Sequence, residues 1–251
     1  MTALRGRIVA IASGKGGVGK TWLSITLSQA LAQRGLRVLL VDGDFGLANV
    51  DVQLGLQPVR DMFGVLTGRC SFESAVLRHE EAGFDVMPGR SGSGGLAELK
   101  PEAVERVGEM LRDATLGWDA VVLDLGAGLS AATRRLAALA DTLLVVATDE
   151  PTSLTDAYAV LKLYGHDRLD GDARIVINQA RDEQAGRRTG VTLQRACQTF
   201  LLRDIPVAGI LRRDDRVADA IRRQAPLLCR YPNSMAAMDT VALARQLDLT
   251  G

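Results

Sequence analysis

The chain has 251 residues, 47% apolar and only 4% aromatic, and its 30 basic and 30 acidic side chains cancel. No apolar run approaches the roughly 18 residues needed to cross a bilayer; Cys70, Cys197 and Cys229 stand far apart, and His79 and His166 are isolated. Membrane spans, disulfide scaffolds and paired-cysteine metal modules are thereby set aside in favour of one cytoplasmic α/β domain over residues 1–251, with a Val-, Leu-, Ile- and Ala-rich core.

The first predicted strand, Arg7–Ser13, is too short for a signal-peptide core and runs directly into Gly14-Lys15-Gly16-Gly17-Val18-Gly19-Lys20-Thr21. This is Gly-x-x-x-x-Gly-Lys-Thr between a strand and a helix, the setting the motif's mechanism needs. Glycines let successive backbone N–H groups converge on phosphate oxygens, and the predicted helix Thr21–Arg34 aims its positive end at the same anion. Lys20 supplies a charge to the β- and γ-phosphates, and the Thr21 hydroxyl is placed to ligate Mg²⁺. Trp22 follows directly and is placed to report a bound nucleotide. Lys15 is the unusual residue. The chain carries 26 Arg and only four Lys, Lys15, Lys20, Lys100 and Lys162, so two lysines in one short loop point to a need for the compact ammonium.

The second strand, Arg37–Asp42, leads into Asp42-Gly43-Asp44-Phe45-Gly46-Leu47-Ala48-Asn49-Val50-Asp51. Carboxylates at i and i+2 leave a strand end on one side, suited to a metal shell or an attacking water; an acidic helix cap is the plainer alternative. Phe84–Pro88 reads as a third strand, and the glycine-rich Gly89–Gly95 as a mobile loop at the edge of the site. After a helix over Pro101–Ala114, the fourth strand Ala120–Leu125 closes on Asp124, the form expected of an acid that holds Mg²⁺ through water. Gly126 and Gly128 then allow the next loop to rearrange. Helix Ser130–Ala140, strand Thr142–Thr148 and helix Thr152–Tyr164 lead to a sixth strand, Arg174–Asn178, whose terminal Asn178 suits either an adenine edge or a turn. Helix Thr192–Leu202, strand Val207–Leu211, helix Asp214–Gln224 and a helical tail Met235–Asp248 complete the alternation. It predicts a mostly parallel twisted sheet with helices on both faces and ligands at the carboxyl ends of the strands.

Charge is unevenly spread. Residues 1–173 carry 17 basic and 22 acidic side chains, whereas 174–230 carry 12 Arg against 6 acids. That basic segment offers a surface to nucleic acid, acidic lipid or an acidic protein, beside the plainer reading of solvated arginines.

The loop Gly14–Thr21 resembles the deviant Walker A motif of the MinD/ParA ATPases, P-loop NTPases of the SIMIBI class, and the resemblance covers nearly the whole chain. It implies ATP and Mg²⁺ as cofactors, slow hydrolysis, and a homodimer in the ATP state in which Lys15 reaches the partner's phosphates. It assigns Asp44 to the hydrolytic water and Asp42 and Asp124, with Thr21, to the Mg²⁺ shell. Asn49, Asp51, Gly126 and Gly128 fall in nucleotide-sensing switches, and Asn178 on the base. Arg212 stands where a base-contacting proline is common, a departure that puts the second adenine contact in question, although an Arg there could still stack on the base.

Asp44–Asp51, Gly126–Ser130 and Glu150–Tyr158 narrow the likeness to the flagellum-number regulators, the FlhG/FleN-type MinD-like ATPases. That implies a protein partner in the flagellar or polar-positioning machinery and recruitment to the inner membrane or pole by that partner. Two departures bear on this. The chain starts almost at its first strand, which puts stimulation of a partner GTPase through an N-terminal extension in question. Its tail carries one Arg and two Asp, which argues against autonomous membrane anchoring and for a core-packing helix. The alternatives are ParA-type segregation of DNA or cargo with non-specific DNA binding, MinD-like positioning of the division site, and a cobyrinate-type ligase.

Overall fold

The computed structural model describes residues 5–89 and 101–247. In chain order, β1 (Arg7–Ala12) leads through the glycine loop to α1 (Lys20–Gln33) and β2 (Val38–Gly43). Three short helices, α2 (Val50–Leu54), α3 (Met62–Leu66) and α4 (Phe72–Ala75), bridge to a hairpin of β3 (Leu77–His79) and β4 (Phe84–Met87). There follow α5 (Pro101–Gly117), β5 (Ala120–Leu125), α6 (Ala131–Ala137), β6 (Thr142–Ala147) and α7 (Pro151–Asp167). Next come β7 (Asp172–Ala180), α8 (Glu183–Leu201) and β8 (Val207–Arg212), then α9 (Asp215–Arg222), α10 (Leu227–Arg230) and α11 (Met235–Gln246).

The eight strands form one sheet in the order β3-β4-β2-β5-β1-β6-β7-β8, parallel except where β3 pairs antiparallel with β4. Every residue of β2, β5 and β6 is buried, because helices cover both faces; hence their apolar runs show no alternation. Successive β1 residues divide between two cores. Ile8 and Ala10 join one with Val107, Leu111, Leu136, Leu161 and Cys197 from α5 to α8. Val9 and Ile11 join the other with Leu23, Leu27 and Leu31 of α1, Leu227 of α10 and Leu243 of α11. Burying one such leucine contributes about 1.5–3 kcal/mol relative to leaving it in water.

Helix α1 is enclosed on nearly all sides. Its buried Thr26 and Ser28 hydroxyls donate to the carbonyls four residues back, Trp22 and Ser24, and so satisfy themselves within the helix. The predicted tail helix packs into the core as α11, with Ala236, Ala237, Thr240 and Leu243 buried and Arg34 of the α1 C-cap bonding the Ala244 carbonyl. Among the described residues no helix is long and apolar enough to cross a membrane.

Three differences from the sequence reading have local causes. Strand β3 is an eighth strand of three residues with no buried position, too short to show a period. Strand β7 runs on past Asn178 to Ala180. Helix α8 begins at Glu183 rather than Thr192, capped by the Asp182 carboxylate accepting from Ala185 N–H at 2.7 Å. Its first half packs through Gly186 and Gly190 against Ile210 and Val207, so closely that a Cβ on Gly190 would sit 2.9 Å from a Val207 methyl. Glycine carries no hydrophobic signal, and the apolar stripe was invisible there. Of the glycine-rich loop, Arg90–Gly95 lies outside the described residues, as does Asp248 at the end of the tail.

Candidate nucleotide and magnesium site

The phosphate loop occupies the turn from central β1 into α1. Gly17 and Gly19 take φ of 78° and 92°, the left-handed region that side chains resist, and this curls the loop around a concavity. Ideal Cβ atoms on Gly16 and Gly17 would meet nothing within 4 Å, so the space they face is open. Lys20 heads α1 with 9% of its surface exposed; burial lowers its pKa, while the Asp124 and Asp44 charges pull it back up.

Three carboxylates close the site from β2 and β5. Asp42 and Asp124 are register partners on these neighbouring strands, both buried. Burial pushes the Asp124 carboxyl up to about 6, against hydrogen bonds from the Thr21 and Ser24 hydroxyls and the Lys20 charge. Burial and the Asp124 charge push Asp42 up to about 7, against three backbone donors. Those donors give Asp42 a task beyond a metal shell: its oxygens accept from Asp44, Asn49 and Val50 N–H at 3.1, 3.0 and 3.1 Å, clamping segment 44–50 to the strand end. Asp44 in turn accepts from Gly46 and Leu47 N–H. Gly126 approaches it so closely that a Cβ there would lie 3.2 Å from the carboxyl, which brings the two predicted switch segments together. Gly128, at φ 96°, ties the second segment to β1 through its N–H to the Ser13 carbonyl. Asn49 leaves its buried Oδ1 without a hydrogen-bond partner, and Asp51 accepts from Val52 N–H beside the α2 start.

Lys15 points elsewhere. Its ammonium bonds Glu150 at the start of α7 and the Thr152 hydroxyl at 3.1 Å, outside the cradle that holds Lys20. Glu150 and Thr152 had no assigned role from sequence beyond a helix start, because their partner is more than 130 residues away.

The base-side residues have partners of their own. Asn178 is a strut beneath the loop: its Nδ2 donates to the Val18 carbonyl at 2.8 Å and its Oδ1 accepts from Gln179 N–H at 2.8 Å. Arg212 is held by Asp239 in two side-chain bonds of 2.9 and 2.7 Å and lines a groove against α8 and α11. Its neighbour Arg213, on the opposite side of the chain, lines an open cleft of about 1170 Å³ with Thr148, Glu150, Gln179, Arg181 and Arg216. Gln179 holds φ of 58°, unusual for a non-glycine residue, at the edge of that cleft. Trp22, in the first turn of α1, is 5% exposed and belongs to the core cluster that includes Val50 and Leu54.

These donors fit Mg²⁺·nucleotide. The cradle is open at Gly16 and Gly17, where phosphates need room, and Gly17 and Gly19 take the left-handed backbone that such a loop requires. Among the described residues no group of three or more His, Cys, Asp or Glu makes an all-protein metal cage. One hydroxyl, Thr21, beside a buried carboxylate, Asp124, is instead the set expected for a cation held largely by phosphate and water.

Known proteins share this fold. The model of the CobQ/CobB/MinD/ParA nucleotide binding domain matches residues 9–227. The antiactivator FleN of Pseudomonas aeruginosa is 35% identical, over 96% of this chain and 86% of its own. The cell division ATPase MinD of Pyrococcus furiosus superposes with a TM-score of 0.81 at 26% identity, covering 96% of this chain and 98% of that one. The septum site-determining protein MinD of Pyrococcus horikoshii, solved in complex with Mg-ADP, superposes with a TM-score of 0.80 at 26% identity, covering 97% and 96%.

Proposed function

Because the chain belongs to the CobQ/CobB/MinD/ParA nucleotide-binding family, whose MinD/ParA members are Mg²⁺-dependent ATPases, we propose that it is an ATP-dependent dimerisation switch. One observation carries the reading. Of the two loop lysines, Lys20 is buried against Asp124 and Asp44, whereas Lys15 stands half-exposed on the rim, held by Glu150 and Thr152. A rim ammonium is free to exchange a solvated carboxylate for a phosphate presented by a second copy.

Within one copy, the loop N–H groups and Lys20 would hold the β- and γ-phosphates, Thr21 and Asp124 would hold the cation, and Asp44 would orient the attacking water. Bound Mg²⁺·ATP supplies the phosphoanhydride and a charge that relieves the two buried carboxylates. Asp42 keeps segment 44–50 in register with that water. Hydrolysis is slow, and the output is whatever binds the ATP dimer: a protein of the flagellar or polar-positioning machinery that draws the dimer from the cytoplasm to the membrane or pole. The 35% identity to FleN supports that choice.

Part of the basic segment is paired within the molecule. Of the basic segment, Arg174, Arg187 and Arg212 pair with Asp172, Glu183 and Asp239, while Arg222, Arg223 and Arg230 share Asp219. Of these carboxylates only Asp172 and Asp239 lie outside the segment, so they meet two of its six excess charges, and the rest of that excess stays available to an acidic partner.

Light scattering tests the proposal with ADP·Mg and ATP·Mg, using Asp44→Ala to slow hydrolysis. ATP should double the mass, and Lys15→Ala should abolish the doubling while nucleotide still binds. A mass indifferent to nucleotide would sink the switch.

A further inference from the structure

We propose that Ser24 is a positioning residue: it fixes the Asp124 carboxylate and thereby sets the affinity of the site for Mg²⁺. The inference rests on the nucleotide reading above. Ser24 lies one turn into α1, fully buried, and its Oγ is 2.8 Å from Asp124 Oδ1 and 3.0 Å from the Lys20 carbonyl. A hydroxyl has one proton, so it serves one of these acceptors at a time. The carboxylate wins, because charge-assisted hydrogen bonds are roughly twice as strong as neutral ones.

Two neighbours supply the contrast. The Thr26 and Ser28 hydroxyls make the same bond to a carbonyl four residues back, at 2.9 and 2.7 Å, and neither has a carboxylate hydrogen-bond partner among the described residues. A self-satisfied helix hydroxyl is therefore the background on α1, and Ser24 departs from it. Asp124 is the penultimate residue of a strand buried throughout, so its Cα is fixed; what remains free is rotation of the carboxyl plane. Ser24 pins one oxygen of that plane while Thr21 bonds the same group from the other end of the turn. Outer partners of metal-binding carboxylates are typically worth about 10- to 100-fold in metal affinity.

Calorimetric titration of ADP into the full chain, with Mg²⁺ varied and separately in EDTA, tests this. Ser24→Ala should raise the Mg²⁺ concentration giving half of the Mg²⁺-dependent gain in ADP affinity by about 10- to 100-fold. Its ADP affinity in EDTA should match wild type, and Ser28→Ala should leave both quantities unchanged. The inference is overturned if Ser24→Ala responds to Mg²⁺ as wild type does. An equal shift in Ser28→Ala, or an equal loss in EDTA, overturns it too, since either marks a general packing effect. If the wild-type chain itself binds no ADP, the nucleotide reading falls and this inference with it; a normal wild type beside an unaltered Ser24→Ala removes this inference alone.

Discussion

Asp42 and Asp124 place two carboxylates side by side on neighbouring strands, each raised by burial above the carboxyl's ordinary range. A folded-state pKa above the unfolded value means that the native protein binds the extra proton. Stability from these groups is therefore complete below about pH 4 and is lost as pH rises through about 6 for Asp124 and about 7 for Asp42. The nucleotide-free protein should melt at a lower temperature at pH 8 than at pH 5.5, and Asp124→Asn should flatten that slope by removing one group and the charge that raises the other. Melting curves across that range decide it; a profile unchanged by Asp124→Asn would show that the pair does not titrate this way. At this scale the sequence was legible in the loop, where Gly14–Thr21 states its own geometry. What it did not show were long-range partners: Asp239, which holds Arg212 from another helix, and the Val18 carbonyl, which accepts from the Asn178 amide.

Among the elements, α8 holds the least legible packing. Glycine in a helix interior ordinarily costs about 1 kcal/mol relative to alanine, so Gly186→Ala should stabilise on propensity alone. Here the added methyl would fall inside contact distance of Ile210 and 3.0 Å from Ala180 Cβ, on two adjacent strands. Overpacking of this kind costs about 1–3 kcal/mol, so the net effect should be a lower melting temperature. Gly117→Ala at the open end of α5, where a Cβ meets nothing within 4 Å, is the matched control and should be neutral or slightly stabilising. A Gly186→Ala variant melting above wild type would refute the close packing. The alternation of strands and helices was readable because each long element carries its own period. Short helices α2 to α4 and strand β3 owe their form to neighbours and caps, such as Asp61 accepting from Gly64 N–H at 2.7 Å.

For the whole molecule, the contact between Lys15 and Glu150 competes with dimerisation. An exposed ion pair is worth about 0–1 kcal/mol and a dimer gives up two, one per copy, so Glu150→Gln should tighten the ATP dimer by no more than about thirty-fold, read from light scattering over a protein dilution series. Weaker dimerisation would instead place Glu150 in the interface. The sheet order carries a separate consequence, for how the chain is made. Strands β1 and β2 never touch: β5 lies between them, with Ala120 in register with both Arg7 and Val38. The phosphate loop and its acidic partner strand are thus synthesised early but cannot be joined until residue 120 and beyond arrive to be inserted. Closure over so long a separation makes for slow folding. During translation the first hundred residues leave the ribosome with the centre of their sheet still missing.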